Sequence, residues 1–166
     1  MKYDRKIIIN VIIVIAIILI ISTYGYSAYK YNENIKEIDN VTYKIKDRYN
    51  NFSNNDTDSI PDSMIDRLSE LKDYWINESA SLNSTIKKLN ETKAYTFFDQ
   101  KKNDHLNKCS TILDTYNTRV QAKIEVITTA LNIVKTTGLL GLFGIDINHY
   151  DKIFNETQQK INSTSI

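Results

Sequence analysis

Residues 6–22 read KIIINVIIVIAIILIIS, an almost unbroken apolar run that follows the charged opening MKYDR. Such a run is typical of a cleaved export signal, of a buried core helix or of a membrane span. It contains ten Ile, two Val and one Leu, which together favour membrane insertion by roughly 4 to 8 kcal/mol. Extended to Tyr26, the helix would be about 30 Å long, which is the thickness of the hydrocarbon core. The run therefore predicts a transmembrane anchor at residues 7–26.

The charges on the two sides of this run predict its orientation. Basic residues lie close together before it and are sparse after it: Lys2, Arg5 and Lys6 precede it, and Lys30 and Lys36 follow. Positive charge favours the cytoplasmic side, and tyrosines such as Tyr24 and Tyr26 are typical of the membrane interface. We expect a cytoplasmic stub at residues 1–6 and an extracytoplasmic chain after the span. A signal peptide cleaved after Ser27 is the alternative.

Composition limits the other possibilities. The chain has 166 residues, a net charge of +1, 4 Gly, 1 Pro and a single cysteine, Cys109. No run of Lys or Arg is dense enough to neutralise many phosphates, so nucleic acid is not an expected partner. One cysteine excludes an internal disulfide, and scarce Gly and Pro favour long helices over β structure.

A heptad-like seam follows the predicted span. Its members recur at alternating steps of four and three and are Tyr24, Ala28, Tyr31, Ile35, Ile38, Thr42, Ile45, Tyr49 and Phe52. This spacing predicts a helical stalk at residues 27–53 that continues from the anchor. An ordinary amphipathic helix of a bundle fits the same spacing.

The region from residue 61 to 137 is predicted to form a long helical hairpin. Its first apolar stripe consists of Met64, Leu68, Leu71, Trp75, Leu82, Ile86 and Leu89. Its second consists of Leu106, Cys109, Leu113, Tyr116, Val120, Ile124, Ile127, Leu131 and Val134. The turn falls either in AYTFFDQ (94–100), where Thr96 and Asp99 resemble a capping box, or in KKNDHLNK (101–108). With a short helix at 148–166, the fold class is all-α: one N-terminal transmembrane helix followed by an elongated antiparallel bundle or coiled-coil hairpin.

An apolar connection, TTGLLGLFGIDI, precedes that last helix and contains three of the four glycines. Residues 138–147 read as a buried link that caps the bundle, or as an exposed patch that touches lipid or a partner. A second span at 126–145 is the third interpretation, and Lys135 near its centre argues against it.

The most polar stretch of the chain is a predicted loop at residues 54–60. The sequence NNDTDSIPDS resembles the calcium loop of thrombospondin type 3-like repeats. The resemblance implies that oxygen ligands would come from Asn54, Asp56, Asp58 and Asp62. Ser59 replaces the glycine of the pattern, and Ile65 replaces its closing carboxylate. A polar interhelical loop is the alternative interpretation, and calcium is the only cofactor considered.

Eight N-x-[ST] acceptor sites for N-glycans occur, where this composition would give about three by chance. They are Asn40, Asn51, Asn55, Asn77, Asn83, Asn90, Asn155 and Asn162. Such sites have meaning only in an exported chain, which agrees with the orientation above. Asn-rich coding bias is the alternative explanation.

Signs of catalysis are weak. The two histidines, His105 and His149, lack the spacing of a zinc protease, and no glycine-rich phosphate loop is present. Cys109 follows His105 by four residues, so a thiol–imidazole pair on one helical face is conceivable, but a core cysteine beside a boundary histidine is the simpler interpretation. We expect no enzyme.

These features predict a single-pass protein of the cell membrane with a structural, adhesive or protein-interaction role outside the cell. Its partners would be the lipid bilayer and other helices, in a homo- or hetero-oligomer formed through helical seams. The alternative is a ligand-sensing helical module, similar to the extracytoplasmic domains of chemotaxis receptors. Because those receptors also need a second span and a signalling domain, it would act as an accessory subunit. A pilin-like subunit is disfavoured because nothing predicts a β-rich head.

Overall fold

The computed structural model describes residues 5–50, 64–96, 98–137, 142 and 144–166. Over these residues it consists of four helices and no strand. The helices are α1 (Arg5–Asn50), α2 (Met64–Tyr95), α3 (Gln100–Thr137) and α4 (Ile147–Ser163). The all-α prediction, with a long apolar N-terminal helix followed by a bundle, is confirmed.

The helices alternate in direction along the bundle. Asn34 of α1 donates a hydrogen bond to the Thr92 hydroxyl of α2 over 2.9 Å, and farther along α1, Arg48 lies 3.4 Å from Glu78. Because later residues of α1 contact earlier residues of α2, the two helices are antiparallel. α3 runs parallel to α1, since Lys102 lies over the Tyr31 ring and later residues of α3 contact later residues of α1.

The last helix packs against the second half of α3. Arg119 donates to the Phe154 carbonyl over 3.0 Å, and its guanidinium lies 5.0 Å from the centre of the Phe154 ring. At the other end of α4, Lys46 of α1 donates to the Thr164 carbonyl. Thus α1 contacts α3 between Lys102 and Tyr116, and α4 contacts α3 around Arg119.

The core is built by all four helices. Its fully enclosed apolar members are Ile38, Ile45, Leu82, Leu89, Leu106, Cys109, Ile112, Leu113, Tyr116, Val120 and Ile161. Hydroxyl side chains are buried among them, and several donate to the carbonyl four residues earlier, as Thr42 does to Ile38 over 2.7 Å. This local bond satisfies the hydroxyl without a partner on another helix.

The predicted stalk is a bundle helix. α1 continues from the apolar run without interruption, but Ile38, Thr42 and Ile45 of its seam are buried against the other helices. The alternative interpretation of the seam is therefore the one the structure shows. Two members of the predicted core of α2 are wrong, because Met64 and Leu71 are exposed.

The α2–α3 turn lies in the first of the two candidate stretches. α2 ends at Tyr95 and α3 begins at Gln100. The carboxylate of Asp99 accepts a hydrogen bond from the Lys102 backbone N–H over 3.2 Å, which lowers the pKa of Asp99. Thr96 is buried, and its hydroxyl donates to the Lys93 carbonyl. Asp99 therefore caps α3, and the capping box that began at Thr96 is not formed.

The described part of residues 126–145 does not support a second span. α3 ends at Thr137, and Ile127, Ala130 and Leu131 are buried within the bundle. Among the described residues, α1 alone is long and apolar enough to cross a membrane. Most of the glycine-containing connection lies outside the described residues, as does the predicted calcium loop with Asn54, Asp56, Asp58 and Asp62.

Candidate functional site

Residues 11–21, in the apolar first half of α1, are exposed and pack against no other helix among the described residues. Their large apolar side chains from Val11 to Ile21 are between 50% and 69% exposed. A core helix of a soluble protein would bury such residues, because each would gain about 1.5 to 3 kcal/mol on leaving water. The opening run is therefore not a core helix of the described bundle, which leaves the membrane span and the signal peptide.

The α2–α3 turn sits beside the point where α1 leaves this apolar half. The rings of Tyr26 and Tyr95 meet edge to face with their centres 5.3 Å apart, and the Ser27 hydroxyl donates to the Tyr95 carbonyl. A shallow groove separates the two helices, and Phe98 forms part of its wall. Phe98 is 70% exposed. We call Tyr26, Tyr95 and Phe98 the aromatic tip.

The predicted glycan sites show one arrangement repeatedly. The six sequon asparagines that the structure describes, Asn40, Asn77, Asn83, Asn90, Asn155 and Asn162, are all exposed. The hydroxyl residue two positions later is buried in five of the six: Thr42, Ser79, Thr85, Thr92 and Thr157. Asn51 and Asn55 lie outside the residues whose side chains are described. In these five sequons the hydroxyl side chain is buried in the folded helices. A glycan would therefore have to be added before the chain folds.

A second candidate site lies inside the bundle, where α1 meets α3. Asp39 follows the buried Ile38 on α1 and therefore stands at the border of the core. His105 and Cys109 are four residues apart on α3, which is close to one helical turn. Both side chains therefore leave α3 on the face that packs against α1.

Three donor atoms meet there. His105 Nε2 lies 2.7 Å from Asp39 Oδ1. Cys109 Sγ lies 3.7 Å from the same oxygen and 3.8 Å from the same nitrogen. Cys109 is fully buried, whereas the side chains of His105 and Asp39 are 27% and 29% exposed. The cluster is thus closed on the core side and open to solvent on the other.

The cluster is poorly arranged for thiol catalysis. Burial raises the pKa of Cys109 to about 11, and the nearby Asp39 carboxylate adds to this effect, so the reactive thiolate is scarce at neutral pH. A catalytic triad also needs its acid and its nucleophile on different nitrogens of the imidazole. Here Nε2 of His105 faces both Asp39 and Cys109. Three donors that converge on one point can instead share a cation.

The sequence suggests two of these three residues as a pair but favours a core cysteine beside a boundary histidine. The spacing of His105 and Cys109 indicated a shared helical face, and the structure brings them together. Asp39 was missed because it lies 66 residues away from His105 along the chain. The signal that could have found it is its position directly after Ile38 in the seam, since a carboxylate at the edge of a buried stripe needs a partner.

The chain matches no protein-family model, and no curated protein or solved structure matches it. Its function is therefore inferred from its own residues.

Proposed function

We propose that this chain is a single-pass membrane protein whose helical bundle stands outside the cell and serves a structural, adhesive or protein-interaction role at the surface. One observation carries the proposal. α1 is a single helix whose first half exposes its apolar side chains and whose second half contributes Ile38 and Ile45 to the core. The same element that would lie in lipid is thus an integral part of the folded domain.

The continuity of α1 favours an anchor over a cleaved signal. Cleavage after Ser27 would cut a helix at a residue that is half-buried and hydrogen-bonded to α2. It would also remove Tyr26 from its ring contact with Tyr95. An anchor keeps both interactions, so we propose that α1 stays attached.

The flanking charges support the orientation. Lys2, Arg5 and Lys6 precede the apolar half, and a basic flank of this kind favours the cytoplasm. The surface that would face outwards carries the six exposed sequon asparagines. We propose that the bundle is extracytoplasmic.

We propose two kinds of partner, of which the lipid bilayer is the first. Association through helical seams is the second, but Ile38, Thr42 and Ile45 of the α1 seam are covered by the chain's own helices. Contacts between copies would therefore use other surfaces, such as the exposed first half of α1.

Fractionation and protease protection test this proposal. The full chain with a C-terminal epitope is expressed in cells, and membranes are washed with alkaline carbonate. We expect the uncleaved chain to stay in the washed membranes, and protease added to intact cells to digest the bundle. A chain shortened by its first 27 residues, or a bundle protected until the cells are broken, would contradict the proposal.

A matched variant tests the origin of the orientation. Replacement of Lys2, Arg5 and Lys6 by Asn removes the basic flank and leaves the apolar run intact. We expect a mixed orientation, seen as a protease-resistant fraction in intact cells. An orientation identical to that of the unmodified chain would show that these charges do not set it.

A further inference from the structure

The donor atoms of Asp39, His105 and Cys109 lie at distances close to those of a zinc coordination shell. In a tetrahedral site, Zn–S is about 2.3 Å and Zn–N and Zn–O are about 2.0 to 2.1 Å, so sulfur lies about 3.5 Å from the other ligands. The observed separations from Cys109 Sγ are 3.7 Å to oxygen and 3.8 Å to nitrogen. These two separations need to change by only a few tenths of an ångström.

The third separation, between His105 and Asp39, is shorter than in a zinc site because the two groups are hydrogen-bonded. His105 Nε2 and Asp39 Oδ1 are 2.7 Å apart and would be about 3.3 Å apart around zinc. In the present arrangement a proton joins them as a hydrogen bond. A small rotation of two partly exposed side chains opens this gap, and the metal then takes the place of the proton.

The donor set selects the kind of metal. A thiolate and an imidazole suit zinc and its late transition-metal neighbours, whereas calcium and magnesium prefer oxygen ligands only. The site also has an entry path, because His105 and Asp39 are about a quarter exposed. Three protein ligands with a solvent-facing side leave one position for water.

We propose that Asp39, His105 and Cys109 bind one zinc ion between α1 and α3, with water as the fourth ligand. On binding, the Cys109 thiol loses its proton to solvent and the sulfur coordinates the metal as a thiolate. The proton on His105 Nε2 transfers through solvent to Nδ1, so the neutral imidazole coordinates the metal through Nε2. The ion joins α1, which contains the apolar anchor, to the hairpin. Zinc therefore stabilises the packing of α1 against α3. This inference holds on either side of the membrane and does not depend on the proposed function.

Cobalt substitution tests the site directly. The full chain is purified in detergent without a histidine tag, stripped of metal with a chelator and kept reduced with a phosphine. Cobalt(II) is then added in steps. We expect a thiolate-to-cobalt charge-transfer band and the visible bands of a tetrahedral ion, with an end point at one ion per chain. We also expect zinc to displace cobalt and to raise the thermal unfolding temperature.

Three conservative variants and one control complete the test. Cys109→Ser should abolish the charge-transfer band, and Asp39→Asn and His105→Gln should each weaken binding at least about tenfold. His149→Gln, which changes the other and exposed histidine, should bind like the unmodified chain. Circular dichroism checks that each variant is folded. The proposal is overturned if no stoichiometric binding occurs, if the charge-transfer band survives Cys109→Ser, or if His149→Gln alone removes it.

Discussion

At the scale of single residues, several threonines in polar parts of the sequence are buried in the core. Thr42, Thr85, Thr92 and Thr157 occupy core positions, and each donates to the carbonyl of the previous turn. A hydroxyl satisfied in this way loses little on burial. An exposed asparagine two positions earlier then produces an N-x-T sequence. The excess of sequons therefore has a structural cause alongside any role in glycosylation.

Lys123 is a residue whose charge the fold disfavours. Its ammonium lies 3.7 Å from the centre of the Trp75 ring. Burial lowers the pKa of Lys123 to about 8, and Arg119 and Arg48 lower it further while Glu78 opposes them. The pKa in the unfolded chain is the ordinary 10.5. Between about pH 8 and 10.5 the unfolded chain therefore binds a proton that the folded chain lacks.

We expect Lys123→Met to stabilise the bundle at pH 7 by about 1 kcal/mol, a figure that allows for solvent screening and for the lost ring contact. Stability of the unmodified chain should rise from pH 8 to 9.5 relative to the variant, because proton release then favours the folded state. Denaturant unfolding in detergent at several pH values measures both effects. Lys135→Met, at an exposed position of the same helix, should show neither. A difference that stays constant with pH would contradict the lowered pKa.

At the scale of elements, the apolar stripe of α2 predicts burial correctly at some positions and not at others. Leu89 is fully buried and Leu71 is 40% exposed, although both belong to the same predicted stripe. Among the described residues, hydrogen bonds and ion pairs join α1 to α2 between Glu78 and Tyr95 of α2, and Leu71 precedes this stretch.

The same substitution at these two positions should therefore have different costs. Leu89→Ala leaves a cavity in a closed core and should lower the free energy of unfolding by about 2 to 5 kcal/mol. Leu71→Ala loses contacts on one side only and should cost less than about 1 kcal/mol. Chemical denaturation of the full chain in detergent measures both. Equal costs would show that α2 is packed uniformly along its length.

The apolar run and the helical periods were enough to predict the all-α class, because both are local properties of the chain. The sequence left open whether the α1 seam forms a stalk or packs inside the chain's own bundle, since a heptad carries no information on which helix covers it. The partner of His105 was also out of reach, because Asp39 approaches it only after α1 and α3 have packed. Contacts between distant segments depend on the register of helices, and the sequence alone left that register open.

At the scale of the whole molecule, the proposed membrane span would place the aromatic tip, and with it the bundle, against the bilayer. The span predicted from the sequence ends at Tyr26, and Tyr26 already contacts Tyr95 of α2. No spacer separates the anchor from the fold. The exposed Phe98 beside this contact then lies where aromatic side chains favour the membrane interface.

Lipid-borne quenchers test this placement. In a Cys109→Ser background, Phe98→Cys is labelled with a small fluorophore, and the full chain is reconstituted into bilayers with nitroxide lipids. We expect strong quenching, because the label would sit at the headgroup level. Ile147→Cys is the control, since it is also exposed but begins α4, which packs beside Arg119 in the second half of α3, away from the aromatic tip. Equal quenching at both positions would contradict a bundle that stands upright on its tip.

Because α1 is one unbroken helix, a first half that spans the membrane as proposed would let membrane thickness set the tilt of the whole domain. A span that is too long for its bilayer tilts, commonly by about 20°. α3 has 38 residues and is about 57 Å long, so such a lean would carry its far end sideways by about 20 Å. The sideways displacement of the far end of the bundle would then differ between thin and thick membranes.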